Sequence, residues 1–247
     1  MKPRVAILAA SLAVAGISFS ALPAAAQNAP AVPQSSPSAR VEQQIGLTKV
    51  AVAYSSPGVK DRKIFGGLVP FDKVWRTGAN GVTTFESSRD FKFGGKEVPA
   101  GTYALHTIPG KSSWTVILNS DVNAWGSYSY DQKKDVIRIQ VKPETMPALR
   151  ERMTFLFSDA TDNGAKLDFE WEKVRVRIPV EVDTNAHVLA GIESALNDAW
   201  RPHFTSARWL LESNGDLKKA LEYADASIAI KPTWWNHWIK AQILGKT

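Results

Sequence analysis

Six polar side chains crowd into two short stretches of this chain. Tyr54, Lys60 and Arg62 precede the pair Gly66-Gly67, and Arg76, Thr77 and Asn80 follow it. Two or three cations beside glycine-rich backbone suit a carboxylate, phosphate or sulfate group. Arginine adds the planar fork that meets such an oxyanion with two parallel hydrogen bonds. Tyr54, Lys60, Arg62, Arg76 and Asn80 are therefore the candidate ligand-binding residues. The same stretch has a structural reading, in which Arg76 ties its loop to backbone carbonyls and Trp75 plugs an end of the core.

His106 is the one catalytic candidate. It lies on an alternating segment from Thr102 to Ile108, out of phase with Tyr103 and Leu105, and so faces away from the side they bury. It could act as a general base or ligand contact, or serve as second-layer packing. An enzyme here would be a hydrolase or isomerase pairing His106 with Arg76 or an aspartate, and it requires those groups to converge in one pocket. His187, His203 and His237 are too scattered for a zinc pair, so no metal is expected. No GxSxG elbow, Walker loop or dinucleotide glycine motif appears, and no cofactor is implied. Trp125 and Tyr128, in a loop with Tyr130, could stack on sugar rings or simply pack. Asp131 and Asp135 read as turn and strand-start residues rather than a catalytic pair.

The elements that must position these groups are mostly strands. Val50, Val52 and Tyr54 alternate with polar residues, as do Trp114, Val116 and Leu118, then Ile137, Ile139 and Val141, then Met153, Phe155 and Phe157. Leu167, Phe169 and Trp171 form a further set, and Val174, Val176 and Ile178 another, with Arg175 and Arg177 outward. Gly94-Gly95 predicts a two-residue hairpin loop, and Val98-Pro99-Ala100-Gly101 a type I turn. After Asp183 the period lengthens to a helical one: Val188, Ile192, Ala195 and Ala199 share a stripe, and Leu217, Leu221, Ala224 and Ile228 another. Asp216 should cap the latter helix and Lys231-Pro232 end it. The expected fold is mainly β with an α tail: an antiparallel β-sandwich or open barrel at 39–183, then a small helical unit at 184–247.

Ahead of both, Lys2 and Arg4 precede an uncharged apolar run from Val5 to Leu22 and the small residues Ala24-Ala25-Ala26. This predicts a signal peptide over 1–26, cleaved between Ala26 and Gln27, and a disordered Pro/Ala/Ser/Gln leader over 27–38. Cleavage removes two cations and no acid, lowering the net charge of +6 to +4. The cations are dispersed, which argues against nucleic acid. With no cysteine there is neither disulfide nor lipid attachment. A soluble periplasmic or secreted protein without an integral membrane segment is expected.

Two sets of residues carry resemblances. Phe204, Ala207, Leu211, Gly215, Ala220, Ala224, Ser227 and Pro232 are spaced as in a single tetratricopeptide repeat, a hairpin that either packs on the sheet or recruits a protein partner. The blocks Tyr54 to Gly66, Val74 to Asn80 and Pro99 to Tyr103 resemble the signature of an exported bacterial family known only as a domain of unknown function. That resemblance implies one domain and no mechanism. Relatives often carry Arg at the position of Ser56 and an acid at that of Gly81, a joint loss that would remove an ion pair near Trp75 to Asn80. The leading expectation is a periplasmic binding or accessory module for a small anionic molecule or glycan. Alternatives are the hydrolase or isomerase and a scaffold acting through the tail.

Overall fold

The structure is a computed structural model that describes residues 32–247. The expected signal peptide, its Ala26–Gln27 cleavage point and residues 27–31 of the leader lie outside the described residues; the rest of that leader is described, with Pro37 O accepting from Ser56 N at 2.8 Å and Ser38 already opening the first strand. Ten strands come first: β1 Ser38–Ile45, β2 Thr48–Ser55, β3 Thr83–Ser87, β4 Phe91–Phe93, β5 Lys96–Val98, β6 Gly101–Ile108, β7 Trp114–Asn119, β8 Asp135–Val141, β9 Glu144–Ser158 and β10 Gly164–Glu181. Four helices follow: α1 Thr184–Asp198, α2 Trp200–Glu212, α3 Leu217–Ile230 and α4 Trp234–Leu244.

The strands build two antiparallel sheets, one in the order β1-β2-β3-β6-β7-β8 and the other β5-β4-β10-β9. Neither closes on itself, so the domain is an open sandwich. Its core joins the inward residues expected from alternation, among them Val50, Val52, Trp114, Val116, Leu118, Phe155, Phe169 and Trp171. The loop between β2 and β3 seals one end: Phe65 packs edge-on against Trp114, and Trp75 stacks on Trp171 with centroids 5.9 Å apart. Gly94 and Gly95 turn β4 into β5 with φ of 57° and 80°. Glycine is required at Gly94, because a Cβ there would lie 2.4 Å from Ile139 Cδ1.

β10 doubles back on itself. Val182 N donates to Asn163 O at 2.9 Å, and Arg177 Nε reaches Asp168 Oδ1, also at 2.9 Å. Nine residues of straight strand would hold those side chains about 30 Å apart. Glu172 takes a left-handed φ of 56° at the reversal. The fold-back sets Leu167, Phe169 and Trp171 opposite Ile178, Val176 and Val174, so the apolar phase passes from odd to even numbers without leaving the core. On the other face Asp168 lies opposite Arg177, and Glu170 opposite Arg175, with Arg150 also on Glu170.

In the tail, α2, α3 and α4 share a second core of Ala207, Leu211, Ala220, Ala224, Ile239 and Ile243. Small side chains at three of these positions let the helices approach closely. Asp216 caps α3, its carboxylate accepting from Lys219 N at 3.0 Å. The stripe on α1 stays uncovered: none of its residues is buried, and Ile192 is half exposed. No helix among the described residues is long and apolar enough to cross a membrane.

Candidate functional site

Three of the five expected ligand-binding side chains, those of Tyr54, Arg62 and Asn80, bind the protein's own chain, and a fourth residue, Lys60, is held through its backbone. Arg62 donates through Nε to Val59 O (3.0 Å) and through Nη2 to Gly58 O (2.7 Å). Lys60, with a left-handed φ of 48°, donates its backbone N–H to Glu151 Oε1. The Tyr54 hydroxyl accepts from Phe155 N, and its ring meets Phe155 edge-on. Asn80 Nδ2 donates to Ser36 O and Ser55 Oγ, fastening the segment ahead of β1. These contacts join the β2–β3 loop to β9 and to the N-terminal segment, and they do not form one site.

Arg76 goes elsewhere. Trp75 and Thr107 form an antiparallel bridge with hydrogen bonds of 2.7 and 2.9 Å, which sets Arg76 beside His106 on the opposite face from Trp75. The register continues from His106 to Ile117 and from Ile117 to Arg138. One row across the outer face of the larger sheet therefore reads Arg76, His106, Ile117, Arg138. Facing outward does not expose it: Ile117 is fully buried and His106 is 1% exposed.

The cover is the loop from Asp121 to Asp131. Its ends are pinned, Asp121 by Lys134 at 2.6 Å and the Asp131 carbonyl by Asn119 Nδ2 at 2.9 Å. Tyr130 lies over His106 with ring centroids 5.2 Å apart, and its hydroxyl donates to Asp135 at 2.7 Å. Arg138 completes a triangle, donating to the Tyr130 hydroxyl (2.6 Å) and to Asp135 Oδ2 (2.5 Å). Asn119 Nδ2 also donates to Asp135. Ala124 is buried in the loop, and Gly126 lies against Arg76.

Burial is the dominant influence on His106 and pushes its pKa below the ordinary histidine value, against smaller opposing effects from Asp135, the Trp75 backbone and Asp121. The imidazole is neutral near pH 7. Burial, then the neighbouring Asp135, raises the Tyr130 pKa and keeps its hydroxyl protonated. Among the described residues, five buried side-chain polar atoms have no hydrogen-bond partner. Three of them are Arg76 Nε, His106 Nδ1 and Ser127 Oγ, two on the row and one in the loop above it. Unpaired buried polar groups are costly, and three of these five lie in or beneath one loop.

Arg76 and His106, on separate loops and strands, are thus brought together, and carboxylates stand beside them. Tyr130, Ser127 and Arg138 are not among the expected site residues; Asp135 does start β8, as expected, and its carboxylate also joins the site. Arg138 was within reach of sequence reasoning, since it alternates outward between Ile137 and Ile139. Asp131 behaves as a turn residue, accepting from Lys133 N ahead of a short 3-10 turn. No cluster of metal-ligating side chains occurs among the described residues.

No curated protein and no solved structure matches the chain. A family model described as "Protein of unknown function (DUF2911)" matches residues 36–180, from just ahead of β1 to the last residue but one of β10. The chain belongs to that family.

Proposed function

We propose that the β domain binds a small anionic molecule at the Arg76–His106 row, and that the protein does so as an exported, soluble binding or accessory module. The observation that carries this reading is the trio of unpartnered buried polar atoms on Arg76, His106 and Ser127. An oxyanion would satisfy the arginine and hydroxyl donors together, with Arg76 supplying the positive charge. Calorimetric titration with acetate, lactate and inorganic phosphate tests the reading. Binding should weaken about 10- to 100-fold in Arg76→Gln and be kept in Lys60→Ala, because Lys60 belongs to the other cluster. Absence of binding by every anion would overturn it.

A second reading, a hydrolase or isomerase, is favoured by the convergence of His106 with Arg76, Tyr130 and Asp135. A neutral imidazole is already in the free-base form that general-base catalysis uses near pH 7, and Arg76 would stabilise the negative charge that develops. The two readings separate on His106→Gln. A binding module keeps most of its affinity, whereas an enzyme keeps its affinity and loses turnover of any substrate found.

A further inference from the structure

The loop over Arg76 carries an aromatic feature that anion binding does not use. Trp125 and Tyr128 are 72% and 88% exposed, and their rings lie nearly parallel, 16° apart in plane. Two large aromatic side chains held parallel in water are an unusual surface. They bracket Gly126 and Ser127, the residues that face inward over the site.

Gly126 fixes the relation between this surface and the arginine. It has a left-handed φ of 70°, and a Cβ built on it would lie 3.2 Å from Tyr128 Cδ2 and 3.8 Å from Arg76 Nη1. Both distances run from one point, so the phenol ring and the guanidinium can be no more than 7.0 Å apart. An exposed stacked aromatic pair, with centroids 6.4 Å apart, and an oxyanion fork thus sit side by side, with Arg76 itself only partly buried. The separation is one that a single sugar ring with an exocyclic carboxylate spans.

We infer that the ligand is a hexuronate, a pyranose bearing a carboxylate. This rests on the anion-binding reading above and names its ligand class. The carboxylate meets Arg76, and the C–H face of the ring lies on the Trp125–Tyr128 surface. Such faces suit aromatic planes because they are apolar while the ring hydroxyls point sideways into water. A neutral sugar would leave the guanidinium unmatched, and a bare carboxylate would leave the aromatics uncovered.

The experiment is calorimetric titration of the full chain with glucuronate, galacturonate, glucose and acetate, repeated on Trp125→Ala, Tyr128→Ala and Arg76→Gln. Both aromatic side chains are exposed, so their removal does not threaten the core. At least one hexuronate should bind about tenfold more tightly than acetate, and more tightly than glucose. Trp125→Ala or Tyr128→Ala should erase that advantage and leave acetate binding unchanged, while Arg76→Gln should weaken every carboxylate about 10- to 100-fold. Acetate binding as tightly as both hexuronates would overturn the sugar inference and leave the anion site standing. So would a hexuronate advantage untouched by both aromatic substitutions, or glucose binding as tightly as both hexuronates. No binding of any carboxylate would overturn both proposals.

Discussion

Acid should destabilise this protein through His106, in a window separate from its carboxylates. Burial lowers the His106 pKa in the folded chain, so the unfolded chain binds the proton more readily. Protonation therefore favours unfolding, and stability must fall as pH drops below the ordinary histidine value of 6.5. The slope is about 1.4 kcal/mol per pH unit for one proton, which bounds the loss between pH 6.5 and 5 at about 2 kcal/mol. The shifted carboxylates Glu42, Asp121, Asp159 and Glu170 all have lowered values, so their contributions are lost only at more acid pH. Urea unfolding of the native chain and His106→Gln at pH 7.5, 6.5, 5.5 and 5.0 isolates the effect. Glutamine cannot titrate, so the gap between the two should shift in favour of the variant as pH falls. Parallel pH profiles would refute the placement of a neutral histidine under the Asp121–Asp131 loop.

Three further perturbations test the frame. Arg177→Met should cost about 3 kcal/mol, because it leaves the Asp168 carboxylate buried with only the Ser158 hydroxyl as a side-chain partner; Asp168→Asn in the same chain should recover much of this in urea unfolding. Gly94→Ala should cost at least about 2 kcal/mol through its left-handed φ and the clash with Ile139, whereas Gly81→Ala, with nothing within 4 Å, should change the melting temperature little. Ala224→Leu should overpack the helical core by about 1–3 kcal/mol and lower only the tail's transition, since that core shares no residue with the sandwich; calorimetry showing the β transition moving equally would contradict this.

Much of the frame was legible because alternation is local. Val174, Val176 and Ile178 follow Leu167, Phe169 and Trp171 with their phase broken, and the break is where the chain reverses at Glu172. Gly94-Gly95 announced its hairpin by the same local chemistry. The candidate site was half legible. Alternation gave the side on which His106 lies but not its burial, which depends on a loop with no periodic signal. Polar crowding in sequence proved a poor guide to convergence: Arg62 and Arg76 share a loop, yet one binds its own carbonyls while the other crosses to His106. Trp75 on the core decides this, because its bridge to Thr107 turns Arg76 to the far face.

The fold-back of β10 also bears on how the domain assembles. Its halves meet across a tight reversal at Glu172, so their closure sacrifices little chain entropy. By contrast, β4 joins that hairpin through Phe93 and Val180, which stand far apart in the chain. The centre of the sheet can thus form early and its β4–β5 edge late, with the distant pairing setting the pace. Pulse-labelled hydrogen exchange should then protect the amides of β10 before those of β4, and the reverse order would mean that another pairing nucleates the sandwich.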